Sequence, residues 1–381
     1  TWSFRAYAEH KTNESGSKKY PKEKNSMRKR FVFMLLSLAM ILAVVSPVAM
    51  AADNQLVISE EDAFLWESRS DRKTLYGVNP EWYKTNITDK GIQNILIKIP
   101  ASTETIRKDF GGSYATIGGY STDGKELVPV YLNCQQVFVD FSAATNLKTI
   151  GVQAFFQVSG LNGEIDLSKT QVEVIEGNAF KKTGITGVIL PTTLKRVGND
   201  DPGTTGSHAP VFEDCSKLEF IRVAGGSSTA VFELPTNLAV IGNSGFYLEG
   251  TKIEQTMRTN PFVIKIPKSL KKMQHTAIGF NKLEAVRKAQ YVFEETDFTG
   301  TVFQNDCLFN STYTNNWGVA RFASKEAYNS FVEKYPDSSK FYGYPTYEFD
   351  LTFKNKETQT KLWGQSIQYE KDGAANYWKR N

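Results

Sequence analysis

Residues equipped for chemistry are few and scattered in this chain of 381 residues. Past residue 51 there are two histidines, His208 in a Gly/Thr/Ser-rich stretch and His275 within Lys271-Lys-Met-Gln-His275. Neither has a His, Cys or carboxylate at metal-ligand spacing, so no zinc centre is expected. Cys134, Cys215 and Cys307 are too few, and odd in number, for a disulfide framework. Cys215 follows Phe212, and Cys307 follows Phe303, at the place where a stacked coil takes a small apolar side chain; buried thiols are expected there. A Cys215–His208 nucleophile pair is conceivable, but a loop-like stretch separates them and nothing joins them in sequence. Asp200-Asp201 lacks the further regularly spaced oxygens of a calcium site. Gly111-Gly112 and Gly118-Gly119 lack the Gly-Lys-Ser/Thr of a phosphate loop. Paired glycosidase carboxylates stay open, since any two acids could meet. Catalytic, metal and cofactor assignments are therefore none. What remains is recognition: Lys98, Asp140, Asp166, Ile189, Arg222, Lys265 and Arg287 are placed as a row of outward residues, one per strand.

The elements that would position such a row are repeats. Leu147-Lys-Thr-Ile150-Gly151-Val-Gln-Ala154-Phe155 returns as Val172-Glu-Val-Ile175-Glu-Gly177-Asn-Ala179-Phe180, and again from Leu194 and Leu238. Beside it stands an apolar-x-apolar-Pro phrase: Ile97 to Pro100, Val188 to Pro191, Ile264 to Pro267 and, more loosely, Phe232-Glu-Leu234-Pro235. Ile150 to Ile175 is 25 residues, Ile175 to Val197 is 22, and Val197 to Ile241 is 44. The last is twice 22, which suggests one degraded copy around Phe212–Val223. Alternation in Ile185-x-x-Val188-x-Leu190 puts apolar side chains on one side of an extended segment. One such unit cannot bury its own face; stacked neighbours build a continuous core. Proline ends each strand, and the Gly after Ile or Val suits a positive φ.

Met27-Arg28-Lys29-Arg30, the apolar run Phe31–Val45 and Ala49-Met50-Ala51 have the three parts of a secretory signal peptide. The run is shorter than a membrane span. Residues 1–51 hold nine of the chain's 45 Lys and Arg and three of its 41 Asp and Glu, leaving 36 basic against 38 acidic side chains. The formal net charge of +4 is thus a property of the leader, and no nucleic-acid partner is implied.

The chain is expected to comprise an upstream extension foreign to the natural protein (1–26), a signal peptide (27–51), a lead-in or cap (52–94), a solenoid (95–320), a capping-helix region (321–343) and a partial β-hairpin or β-grasp-like module (344–381), read as cut short. Within 321–343, Ser324 is an N-cap and Tyr328, Phe331 and Val332 an apolar face, with Pro336 beyond the end.

With its lines aligned, the chain resembles the BspA-type leucine-rich-repeat proteins of bacterial surfaces. Ile185–Pro191 with Leu194–Gly198 matches one half of their repeat, Leu147–Phe155 the other, and Phe212–Cys215 its end. The resemblance covers roughly residues 95–335 and implies a mostly-β leucine-rich-repeat solenoid with a helical C-terminal cap. It implies a secreted or cell-surface adhesin whose repeat sheet meets an extracellular protein or glycan. No membrane span after signal cleavage and a monomeric state are expected. A carbohydrate-active enzyme or wall-binding accessory is the alternative, and a spacer for a further domain is a second.

Overall fold

The computed structural model describes residues 55–381 except 112–118, 201–207, 260–261, 283–284, 286–288, 305–306, 309–316, 323, 336–347, 354–358, 364–366, 373–374 and 381. The expected extension (1–26) and the expected signal peptide (27–51) therefore lie outside the described residues. Among those described, no helix is long and apolar enough to cross a membrane.

Each unit contributes one strand to a first ladder and one to a second, and after the first unit the first-ladder strand is the longer. In chain order these are β1 (Leu56–Ile58) and β2 (Thr74–Val78), β3 (Asn94–Lys98) and β4 (Thr105–Ile106), β5 (Gln136–Asp140) and β6 (Thr149–Ile150), β7 (Asn162–Asp166) and β8 (Val174–Ile175). There follow β9 (Gly184–Leu190) and β10 (Arg196–Val197), then β11 (Phe220–Val223) and β12 (Val240–Ile241). After helix α1 (Lys252–Thr259) come β13 (Phe262–Ile266) and β14 (Lys272–Met273), β15 (Ala289–Phe293) and β16 (Val302–Phe303), and β17 (Trp317–Phe322). The second ladder is parallel and unbroken: Leu75, Ile106, Ile150, Ile175, Val197, Ile241, Met273 and Phe303 are successive register partners. Beyond β2 the sheet continues antiparallel through Phe64–Trp66, Gly119–Tyr120 and Glu126–Leu127.

Two expectations change here. The stack begins at Leu56 rather than Ile95, since β1 pairs with β3 and β2 with β4. The 44-residue gap hides no degraded copy, because Val197 and Ile241 are direct neighbours. That spacing is one unit lengthened by two insertions, after Gly198 and after Val223. Their summed length happens to imitate a period.

The repeated residues are the core. Ala154, Phe155, Ala179, Phe180 and Phe212 are fully buried. Phe155, Phe180, Phe212 and Phe246 form a spine of near-parallel rings at centroid spacings of 5.4, 5.9 and 6.0 Å. Each such ring contributes about 1.5–3 kcal/mol of burial, and neighbouring rings secure one another's rotamers. The glycine after Ile answers a need other than positive φ at Gly151 and Gly242. A Cβ on Gly151 would lie 2.9 Å from Ile106 O and Lys108 N of the coil below. The left-handed positions fall slightly later, on Gln153 (φ 56), Asn178 (φ 57), Ser244 (φ 56) and Thr276 (φ 51); only Gly198 (φ 86) meets the expected conformation among these glycines.

Helix α2 spans Lys325–Lys334, with Ser324 Oγ accepting from Ala327 N at 3.2 Å. Phe331 is buried against Phe293, Phe298 and Phe322; Tyr328 and Val332 lie outside the residues whose side chains are described. The ladder continues past α2, since β18 (Glu348–Phe353) pairs parallel with β17 and antiparallel with β19 (Gln359–Trp363).

Candidate functional site

The face of the first ladder places the row named from sequence. Inward residues Ile95, Ile97, Val137, Ile165, Val188 and Ile221 are fully buried, so alternation sends Lys98, Asp140, Asp166 and Arg222 outward. Lys98 and Asp140 are register partners, and Asp166, Ile189 and Arg222 are three in succession. Lys265 is exposed on β13, in a separate stretch of ladder, and its partner is Val292. Arg287 lies outside the described residues.

Several of these side chains have local duties. Asp140 Oδ1 accepts from Ser142 N, and Asp166 Oδ1 from Ser168 N, each at 2.8 Å; these Asx turns end their strands. Arg222 Nε donates to Ala230 O at 2.7 Å, and its guanidinium lies 3.9 Å from the Phe220 ring centroid. Lys98 and Lys265 have no ion pair among the described residues. The structure adds residues that sequence passed over. Phe138 lies against Gly163 and Phe220 against Gly187, so aromatic rings cover neighbouring glycines along the face. Glu164 joins Asp166 and Arg222; burial pushes its carboxyl above the usual range, Asp166 adds to the effect, and Arg222 opposes it. The signal was an outward aromatic two residues before a charge (Phe138-x-Asp140, Phe220-x-Arg222), hidden because outward residues follow no repeat.

The second ladder's exposed charges are self-neutralised. Lys73 Nζ and Lys148 Nζ lie 2.9 and 3.1 Å from the Glu104 carboxylate between them, and Lys195 Nζ is 2.8 Å from Glu173. Backbone bonds from Lys148 to Glu104, Glu173 to Lys148 and Lys195 to Glu173 make this one row of alternating sign. Exposed pairs of this kind contribute little to stability; their consequence is a face with its charges already matched.

Among the described residues the first ladder is interrupted twice: β5 and β7 are joined only by a bridge at Val137–Leu161, and β11 and β13 do not pair. After β11 the insertion returns as Val231–Leu234, bridged to it at Ile221–Phe232, and takes the edge where β13 would have paired. A cleft of about 560 Å³ opens between this segment and β13, lined by Val223, Phe232, Leu234, Met257, Phe262 and Val263.

One cluster has the composition of a hydrolytic triad: Ser244 Oγ is 2.9 Å from His208 Nδ1, and Glu213 Oε1 is 3.4 Å from Nε2 of the same ring. Its geometry does not support attack. Ser244 is fully buried and also bonds Asn243 Oδ1 at 3.0 Å, so no substrate carbonyl can reach its oxygen. The cluster instead latches the end of the first insertion to the next unit. Cys134, Cys215 and Cys307 are buried and free of disulfides. Burial pushes the Cys215 thiol up to about 11, and burial raises Cys134 against the opposing bond from Tyr83, leaving no thiolate near neutral pH. Asp200 is held by Lys272 and Gln274; Asp201 lies outside the described residues.

No family model matches the chain, and no curated protein matches it. Among solved structures it is similar to a leucine-rich repeat protein from Bacteroides ovatus ATCC 8483, at 14% identity and TM-score 0.27, covering 72% of each chain. It is also similar to a leucine rich cell surface protein from Faecalibacterium prausnitzii A2-165, at 14% identity and TM-score 0.19, covering 74% of this chain and 90% of that one. Both TM-scores are low, and neither protein lends this chain a function or a location.

Proposed function

We propose that this chain is an exported recognition protein of the leucine-rich-repeat type, an adhesin that engages an extracellular protein or glycan through the face of its first ladder. The observation that carries this is the contrast between the two ladders. The second satisfies its exposed charges within itself. The first leaves Lys98 and Lys265 without ion partners among the described residues and displays Phe138, Ile189 and Phe220 between charged neighbours. Extended repeat faces of this mixed character suit multi-contact binding, with aromatic residues and Arg as its anchors. Export rests on the residues Met27–Ala51, whose basic, apolar and small-residue parts fit a cleaved signal.

Solid-phase binding of the mature chain to a panel of matrix proteins and mucin tests the role. Saturable binding that falls by about tenfold in a Lys98→Glu, Phe138→Ala double variant supports it, the loss being roughly 1.4 kcal/mol of contact energy. A flat response across the panel removes the adhesin role. Reducing-sugar release from polysaccharides by the same preparation would replace it with an enzymatic one.

A further inference from the structure

We infer that the cleft between Val231–Leu234 and β13 is a strand-addition site for an extended segment of a partner protein; this deepens the recognition role above and rests on it for taking the first ladder as the working face. Along a strand, successive residues aim their N–H and C=O groups at opposite edges. Ile221 N donates to Val231 O and Glu233 N donates to Ile221 O, each at 2.9 Å, so Val231 and Glu233 are turned toward β11. Phe232 and Leu234 must then be turned away from it, toward the cleft. On the opposite wall Glu294 N donates to Ile266 O at 3.0 Å, which turns Ile266 and Ile264 toward β15. Val263 and Lys265 therefore aim their backbone groups into the cleft. Among the described residues, no backbone hydrogen bond crosses from one wall to the other.

Two open strand edges thus face each other above an apolar floor of Phe232, Met257 and Phe262. A peptide in extended form carries donors and acceptors along both of its edges and side chains at a spacing that alternates between floor and solvent. A glycan carries no such alternation. The charges agree with a segment of mixed sign. Glu233 on one wall has a carboxylate oxygen that is buried and has no hydrogen-bond partner, and Lys265 stands exposed on the other wall. An outward Lys beside Glu233 and an outward Glu beside Lys265 would complete cross-strand pairs.

The test is selection from a displayed library of heptapeptides in which Val, Ile or Thr alternates with Lys, Glu or Thr, using the full mature chain as bait. The enriched peptide, synthesised with a fluorescent label, is expected to bind saturably by anisotropy. Its analogue N-methylated at alternate amides should bind at least about tenfold more weakly, since the side chains are unchanged and only backbone donors are lost. Val263→Pro removes one cleft-facing N–H but no bond between β13 and β15. It should weaken the peptide by a similar factor, while Val263→Thr should leave it within about twofold. Should Val263→Pro unfold, the N-methylated peptide on the unaltered chain decides alone. No enrichment, equal binding of the N-methylated peptide, or displacement by a free hexasaccharide overturns the strand-addition site. If matrix proteins or mucin bind while no peptide is enriched, this site falls and the recognition role stands; if neither binds, both fall.

Discussion

The residues that repeat are those that meet their own copies one unit away. Phe180 lies between Phe155 and Phe212 with both rings nearly parallel to its own. Phe180→Ala should cost about 3–5 kcal/mol, measured by denaturant unfolding, with little change in which ligands bind. Such residues were legible because burial on a repeated coil forces the same type at the same offset. Phe138, Glu164 and Phe220 were not, because nothing about stacking constrains an outward side chain. Glu213 shows a further effect that sequence hides. Burial alone would push its carboxyl up, but hydrogen bonds and charge from His208 and Lys181 outweigh it and hold the carboxyl below the usual range. A depressed carboxyl contributes stability above its unfolded-state pKa and loses it as pH falls through the lower folded value. Glu213→Gln should therefore flatten the acid limb of the stability profile below about pH 4.5, read by urea unfolding at a series of pH values; an unchanged limb would refute the latch. A thiol reagent should label none of the three cysteines in the folded chain and all of them after unfolding.

Among the elements, strand existence and parity were readable and unit boundaries were less so. Alternation set the inward face at Val188 and Leu190, since a one-residue slip would bury the polar side; Ile185 is buried with them because the pairing with β7 skips Thr186, a bulge the pattern did not show. The lead-in was harder: Leu56–Ile58 is a three-residue strand with no proline or Ile-Gly line attached, so its place in the ladder is fixed by pairing with β3 rather than by pattern. The insertions defeated arithmetic, because Val197 and Ile241 are neighbours in space at a distance that sequence counts as two periods. The close approach at Gly151 gives a sharper test of the coil spacing than any strand residue. Gly151→Ala puts a methyl against the backbone of the preceding coil and should cost about 1–3 kcal/mol. The same change at Gly300, which has open space around it, should leave the unfolding midpoint unchanged.

At the scale of the whole molecule, the two ladders divide the labour of one stack: the second is continuous and closes on its own charges, while the first is interrupted where recognition is proposed. The alternation along Lys73, Glu104, Lys148, Glu173 and Lys195 gives the array a parity. Excising the single coil that carries Lys148 would set Glu104 beside Glu173, whereas excising that coil together with the next would set Glu104 beside Lys195. Like charges opposed across a ladder are destabilising, so single-coil deletion should leave a fold whose unfolding midpoint rises with added salt, and the double deletion should show less of that dependence. Lengthening or shortening in this part of the protein is therefore expected to disturb the charge row least in steps of two coils.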